Sequence, residues 1–357
     1  MANKHMPYDL AQMQSLPLKA KIIMTKQRIR QWHEHWDGDV YVSFSGGKDS
    51  TVLKHIVDSM YSDVPALFVN TGLEYPEIQS FVRDIKKGKY DCFNSDVEIV
   101  RPEMRFDEVI KKYGYPAIGK EIAETIYCAR NGKNGKYKTT RLQRLLGEWK
   151  DKNGNKSAYN CDKWKFMLDA EFEVGSYCCT VMKKRPSAKY AKQSGRKQIV
   201  GTLASESRLR KQQWLKNGCN AFDNKKPTSQ PLSFWTEQDI LHYIKEFNVP
   251  YCPVYGDIIP KPDNGEIEGQ VTVFDVLGEY EQTELTTTGC DRTGCIFCMF
   301  GCHLEKEPNR FQRLKNTHPK QYEYCINGGE MVDGKWQPNK EGLGLGKVLD
   351  YIGVKYD

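Results

Sequence analysis

The segment Tyr41 to Val57 constrains this chain more than any other. A short apolar run (Tyr41, Val42, Phe44) leads into Ser45-Gly46-Gly47-Lys48-Asp49-Ser50, and a helical run from Thr51 to Val57 follows at once. Two consecutive glycines let backbone approach an anion closely and adopt angles closed to other residues. N–H groups at the start of the following helix then point at that anion, and the helix dipole adds favourable potential. Lys48 supplies a mobile positive charge, and the hydroxyls of Ser45 and Ser50 can donate to phosphate oxygens. The longer GxxxxGK[ST] phosphate loop is absent. A strand–cradle–helix unit of this kind belongs in an α/β fold whose ligand carries phosphate.

The flanking pattern extends that reading. Residues 17–36 place Leu18, Ile22, Ile23, Ile29 and Trp32 near helical spacing. Strand-like runs Tyr41–Phe44, Pro65–Val69 and Val97–Val100 then alternate with helical runs from Asp49 and Pro76, and Gln198–Gly201 reads as a later strand of the same sheet. The order predicts a doubly wound, parallel α/β sheet. A chain of 357 residues suits one large domain with additions. The expected division is a nucleotide-binding domain over 1–255, with a basic insertion at about 126–170, and a cysteine-rich region over 256–357. Residues 256–290 read as a small irregular or hairpin region, Asn309–Cys325 as a helical stretch, and the tail near 343–349 as a short helix.

Residues 130–165 carry eleven basic residues against three acidic ones, with Gly-Asn-Gly punctuation. Two readings stay open: a solvated insertion, or an electrostatic contact to DNA, RNA or another polyanion. The whole-chain charge of +7 permits an anionic substrate without demanding one. No apolar run reaches membrane-span length, and MANKHMPYDL lacks a signal-peptide core, so no membrane partner and a cytoplasmic location are expected.

Twelve cysteines in such a chain are expected to be free thiols or metal ligands. Cys92, Cys128, Cys161, Cys219, Cys252 and Cys325 are scattered and read mostly as small core residues. Cys178 and Cys179 are adjacent, and Cys290, Cys295, Cys298 and Cys302 form a local run. The four thiolates of that run can bind Zn²⁺ or an iron–sulfur cluster, since soft ligands suit both.

The string SGGKDS after a strand resembles the PP-loop of the ATP pyrophosphatases and the phosphoadenosine phosphosulfate (PAPS) reductase family. The likeness runs along most of residues 20–300. Asn70-Thr71-Gly72-Leu73-Glu74-Tyr75-Pro76-Glu77 resembles the family segment that lines the adenosine site. GTLASESRLR, from Gly201, resembles G-x-R-x-x-E-S-x-x-R, keeping Glu206, Ser207 and Arg210 but placing Thr202 where the family has Arg. Pro231–Ile240 resembles the P-x-x-x-W-T-E-x-D segment, with a Thr cap opening a helix. The resemblance implies an adenine nucleotide alpha-hydrolase-like (Rossmann-like) fold. It also implies an ATP or adenosine phosphosulfate ligand on Ser45, Gly46, Gly47, Lys48, Asp49, Ser50, Asn70, Thr71, Gly72, Gly201, Glu206, Ser207 and Arg210. Lys48 and Asp49 become the catalytic candidates, both expected to be solvent-accessible.

Cys178–Pro186 resembles the C-C-x-x-x-K-x-x-P stretch of the family's iron–sulfur branch, in which the adjacent pair joins a distant C-x-x-C. That implies one [4Fe–4S] cluster on Cys178, Cys179, Cys295 and Cys298. The local set Cys290, Cys295, Cys298 and Cys302, with Zn²⁺ as another metal, stays as the alternative. Thioredoxin-dependent PAPS reductases carry a C-terminal Glu-Cys-Gly-(Ile/Leu)-His motif, whereas this sequence closes on DYIGVKYD. The expectation therefore leans to ATP chemistry: Mg²⁺ aided by Asp49, adenylation of an acceptor, loss of pyrophosphate and sulfur transfer. This is similar to the DNA-phosphorothioation branch, with a cysteine desulfurase or other sulfur donor as partner. Sulfonucleotide reduction, and a non-catalytic nucleotide- or cluster-sensing role, are the alternatives.

Overall fold

A computed structural model describes residues 3–261 and 283–357. The chain forms two compact units, the first from residues 1–70, 74–100 and 187–293, the second from 71–73, 101–186 and 294–357. This is a grouping by spatial contact, distinct from the sequence division expected at residue 255.

The first unit is built on a six-stranded sheet. Its strands are β1 (Val40–Ser43), β2 (Ala66–Val69), β3 (Val97–Val100), β4 (Lys197–Val200), β5 (Asn220–Ala221) and β6 (Thr228–Ser229). The order is β3-β2-β1-β4-β6-β5, and only the β5–β6 pair is antiparallel. Val42 pairs with Ala66 on one side and Ile199 on the other. Val40, Tyr41 and Val42 are all buried, which is why β1 reads as a continuous apolar run rather than an alternating one. The chain steps outward from β1 to β3 and then returns to the other side of β1. The strand order therefore reverses between β1 and β4, and in open α/β sheets ligands bind at the strand ends beside such a switch point.

Helix Leu18–His35, expected at 17–36, buries Ile29 and Trp32, and helix Lys48–Asp58 buries Val52, Leu53 and Ile56. Helix Pro76–Lys86 adds Ile78, Phe81, Val82 and Ile85 to the same core. Full burial of one such side chain contributes roughly 1.5–3 kcal/mol. Buried ion pairs also lie in this unit, among them Lys54 with Asp58 at 2.8 Å. Lys21 Nζ donates to both oxygens of Asp239 at 2.8 and 2.7 Å. In the region expected to be irregular or a hairpin, Ile258–Pro260 pairs antiparallel with Leu285–Thr287, and residues 262–282 fall outside the described residues.

The second unit is mainly helical. Helices Lys120–Asn131 and Lys136–Leu146 are followed by a 3₁₀ segment at Asp162–Asp169, so the basic stretch is ordered into helices rather than being a plain loop. Ala117–Ile118 pairs in parallel with Met299–Phe300, and Glu330–Val332 forms a hairpin with Lys335–Gln337. The stretch Asn309–Cys325 is two helices, Arg310–Thr317 and Pro319–Ile326, broken at His318. His318 precedes a proline and takes φ −138°, ψ 64°, because the proline ring disfavours the helical region for its predecessor. The tail helix is Leu345–Tyr351. Among the described residues, no helix is long and apolar enough to cross a membrane.

Candidate functional site

The loop after β1 is shaped by close packing. Gly46 has φ +73°, and a Cβ there would stand 2.9 Å from Ile78 Cγ2. Both facts exclude a side chain, so the turn stays tight and delivers Gly47 as the cap of helix Lys48–Asp58. Gly201, just past β4, lies so near the loop that a Cβ would meet the Asp49 carbonyl oxygen at 2.9 Å. The ends of β1 and β4 thus meet at the switch point.

The cradle's donors are held by hydroxyls. Gly47 N–H donates to Ser45 Oγ at 3.4 Å, and Lys48 N–H to the Tyr255 hydroxyl at 3.1 Å. That hydroxyl lies 2.6 Å from Thr293 Oγ1. Ser45 N–H donates to Ser50 Oγ at 3.1 Å, and Ser50 Oγ donates to the Gly47 carbonyl at 2.9 Å. These are neutral bonds, and a phosphate or sulfate oxygen in their place would make charge-assisted ones of about twice the strength. The loop lines a cleft of about 560 Å³ together with Glu206, Glu237, Tyr255 and Arg292.

Lys48 corrects the expectation of accessibility: it is only 5% exposed. Its Nζ donates to Glu237 Oε1 at 2.6 Å and to the Asp291 carbonyl at 2.5 Å, and lies 5.3 Å from the Tyr255 ring centroid. The side chain is drawn inward because a carboxylate, a carbonyl and an aromatic face all await it. Asp49 differs. Its Oδ1 is buried and has no hydrogen-bond partner among the described residues. Burial raises its pKa; Lys48 offsets this, Glu237 adds to it, and Arg292 and Arg210 lower it. Glu206 pairs with both Arg210 and Arg292, and its Oε2 accepts from Leu203 N–H at 3.0 Å. Burial and the neighbouring Arg292 lower the Arg210 pKa.

The expected nucleotide residues therefore divide. Ser45, Gly47, Lys48, Asp49, Ser50, Gly201 and Glu206 line one cleft, with Gly46 shaping the turn and Arg210 attached through Glu206. Ser207 caps helix Arg208–Asn217, its Oγ accepting from Arg210 N–H at 3.3 Å. Asn70, at the end of β2, donates its N–H to Val100 and is not among the lining residues. Thr71 and Gly72 group with the second unit, where Thr71 Oγ1 accepts from Leu73 N–H at 3.1 Å. Glu237, Tyr255, Arg292 and Thr293 were missed. Glu237 had a signal, since it is the first residue of a helix fixed by the Thr236–Asp239 capping box. The other three lie in loosely patterned sequence that carries none.

All twelve cysteines are free. Cys128, Cys219, Cys252 and Cys325 are buried as expected, Cys161 is half-buried and Cys92 is exposed. Cys178, Cys179, Cys295, Cys298 and Cys302 belong to the second unit, Cys290 to the first. Cys178 donates to Cys179, with sulfurs 3.9 Å apart. That bond, burial and the charges of Cys179, Cys298 and Cys295 push the Cys178 thiol up. The same bond draws Cys179 down despite its burial, helped by Lys120 and Lys183. Burial raises Cys298, with Arg310 and Lys120 opposing and Cys179 adding. Cys178 thus feels the other three thiols of the split set, with Lys120, Lys183 and Arg310 acting on its neighbours, and four thiolates are a donor set that suits a cluster. Among the described residues, however, no three His, Cys, Asp or Glu side chains stand ready-gathered around a metal.

A family model described as the phosphoadenosine phosphosulfate reductase domain matches residues 39–153 and 150–299. The chain is 34% identical over 91 residues to an uncharacterized protein of Methanocaldococcus jannaschii, covering 25% of this chain and 18% of that protein. A second uncharacterized protein of that organism is 36% identical over 77 residues, covering 22% and 18% respectively. The chain thus spans less than a fifth of these relatives' length. The crystal structure of phosphoadenylyl-sulfate (PAPS) reductase from Candida auris, a phosphate complex, aligns with a TM-score of 0.36 and 16% identity, over 64% of this chain and 82% of that one.

Proposed function

The chain belongs to the phosphoadenosine phosphosulfate reductase domain family, and we propose that it is a sulfur-transfer enzyme that adenylates an acceptor with ATP. The membership supports a nucleotide-binding, sulfur-related enzyme; the choice of ATP chemistry rests on Asp49. A buried carboxylate oxygen without a partner, at the mouth of an anion cradle, is costly unless a cation joins it. A sulfonucleotide alone brings only more negative charge. Mg²⁺ bound with a triphosphate brings the missing cation, and it needs only one or two carboxylates besides phosphate and water. Asp49 and Glu237 would hold it, which fits the lack of a ready-made cage among the described residues. Its contribution, when bound, is neutralisation of charge on the phosphates.

The chain's own residues do the rest. The N–H groups of Gly47 and Lys48 exchange their hydroxyl partners for phosphate oxygens, and Lys48 Nζ moves from Glu237 to the same anion. Arg292 and Arg210, braced by Glu206, supply positive potential across the cleft. An acceptor oxygen attacks the α-phosphorus, the bond to the α–β bridging oxygen breaks, and pyrophosphate leaves with the electron pair. A sulfur nucleophile then displaces the adenylated oxygen, releasing AMP. Catalysis is positioning and charge stabilisation.

Cys178, Cys179, Cys295 and Cys298 are the proposed [4Fe–4S] ligands, supported by the influence of the other three on Cys178 and by Lys120, Lys183 and Arg310 acting on Cys179 and Cys298. The set Cys290, Cys295, Cys298 and Cys302, and Zn²⁺ as the metal, are the rivals. Assays with ATP and with adenosine phosphosulfates test the function. Pyrophosphate formation supports adenylation. Sulfite release from a sulfonucleotide would transfer the reading to reduction, and binding without turnover of either would make the protein a sensor.

A further inference from the structure

The second unit has its own pocket, of about 570 Å³, lined by helix Lys136–Leu146, by Trp149 and Tyr159 beyond it, and by Glu121, whose carboxylate is engaged by Arg144. It combines aromatic faces with cations. Tyr137 is 57% exposed and Tyr159 is 64% exposed. The Arg141 guanidinium lies 4.8 Å from the Tyr137 ring centroid and donates to the Tyr137 hydroxyl at 2.9 Å and to Thr125 Oγ1 at 3.3 Å. Both partners are neutral, and among the described residues no carboxylate makes an ion pair with Arg141. Arg144 is different: it is buried, donates to Glu121 at 2.8 Å and to the Tyr159 carbonyl at 2.7 Å, and so serves the fold.

Lys136 lines this pocket, and further lysines lie in the same stretch of chain, of which Lys156 pairs with Asp162. Among the described residues, no carboxylate makes an ion pair with Lys133, Lys136, Lys138, Lys150 or Lys152. A merely solvated face would not need two half-open tyrosines and a partly covered tryptophan beside those charges. Exposed aromatic rings cost solvation, whereas stacked bases would cover them.

We propose that this pocket binds single-stranded nucleic acid. An unstacked base lies against the Tyr137, Trp149 and Tyr159 faces, and the adjoining phosphates meet Arg141 and Lys136. Aromatic platforms combined with a cationic track are the means by which single strands are held without sequence preference. A duplex keeps its base faces stacked and cannot fill such a pocket. The inference stands apart from the chemistry proposed for the cleft, because it concerns binding in the absence of ATP.

The test uses the whole protein and a fluorescent twelve-nucleotide oligo-dT or oligo-U, followed by anisotropy in low salt. Stacking contributes about 1–3 kcal/mol per base, so Tyr137→Ala with Tyr159→Ala should weaken binding roughly 5- to 150-fold. Tyr137→Phe with Tyr159→Phe keeps the rings and should stay within about threefold of the parent. Lys133→Ala with Lys136→Ala should reduce the slope of log affinity against log salt by up to about 0.7 per lost contact. Both tyrosines are more than half exposed, so these variants should melt with the parent. Absence of single-strand binding at low salt would overturn the proposal. So would alanine variants that bind as well as the parent, or equal affinity for duplex DNA or heparin, since either result reduces the site to a general polyanion contact.

Discussion

Replacing Lys21 by methionine should be among the most damaging changes available in the nucleotide-cleft unit, although Lys21 touches no ligand. Its side chain is 3% exposed, and its ammonium donates to both Asp239 oxygens. Methionine fills the stem's volume but leaves a buried carboxylate without its cation. Removing one partner of a buried pair costs about 3–5 kcal/mol. Asp239 keeps two donors, Thr236 N–H at 2.6 Å and Thr236 Oγ1 at 2.8 Å, and lies in the first turn of its helix. A favourable helix dipole contributes about 0.3–1 kcal/mol there. The expected loss is therefore near the lower end, about 3 kcal/mol. Lys21→Met with Asp239→Asn removes both charges and should be less damaging than the sum of the two single changes by about 2 kcal/mol, within the range seen for coupled neighbours. Urea denaturation followed by tryptophan fluorescence reads this, with unchanged dependence on urea as the control. A Lys21→Met loss under about 1 kcal/mol, or singles that add to within about 0.5 kcal/mol, would refute the reasoning. The consequence reaches the cleft, because Asp239 closes the capping box of the helix that presents Glu237.

Asp49→Asn should stabilise the protein at neutral pH while abolishing turnover. The native carboxyl has a raised pKa, so the folded state holds its proton longer and stability falls as pH rises from the ordinary carboxylate range through the native value. Melting temperatures should therefore favour the variant at pH 7 and converge in acid, and a variant less stable than the parent at pH 7 would count against a partnerless buried carboxylate. Lys48→Ala should weaken ATP binding by calorimetry roughly tenfold or more, the loss of one charge-assisted contact of about 1.5–3 kcal/mol. Its stability cost should stay near 1 kcal/mol, because Glu237 is 55% exposed and can rehydrate. In anaerobic preparations, Cys178→Ala or Cys179→Ala should remove iron and the brown colour, while Cys290→Ala and Cys302→Ala keep both; the reverse pattern would establish the local set.

Four of the six strands were legible: β1 and β2 as short apolar runs, β3 and β4 as mixed runs rich in β-branched residues, whereas β5 and β6, two residues each, carry no pattern. The loop was legible because its double glycine permits the left-handed φ that Gly46 adopts. Helix Leu18–His35 was legible from its spacing, and the break at His318 was overlooked although Pro319 announces it. The inward turn of Lys48 was not legible. It depends on Glu237 and Asp291, distant in sequence, whose approach is a property of the folded chain. Tyr255, Arg292 and Thr293 were hidden for the same reason: each comes from an irregular segment without period or motif. The two compact units were likewise unreadable, since each is assembled from separate stretches of chain.

The most direct test of the central claim is pyrophosphate release from ATP by the anaerobically prepared protein with Mg²⁺ and a candidate acceptor, with sulfite release from adenosine phosphosulfates measured in parallel. The account predicts pyrophosphate in amounts matching AMP, lost in both Lys48→Ala and Asp49→Asn, with no sulfite. Sulfite without pyrophosphate would contradict it.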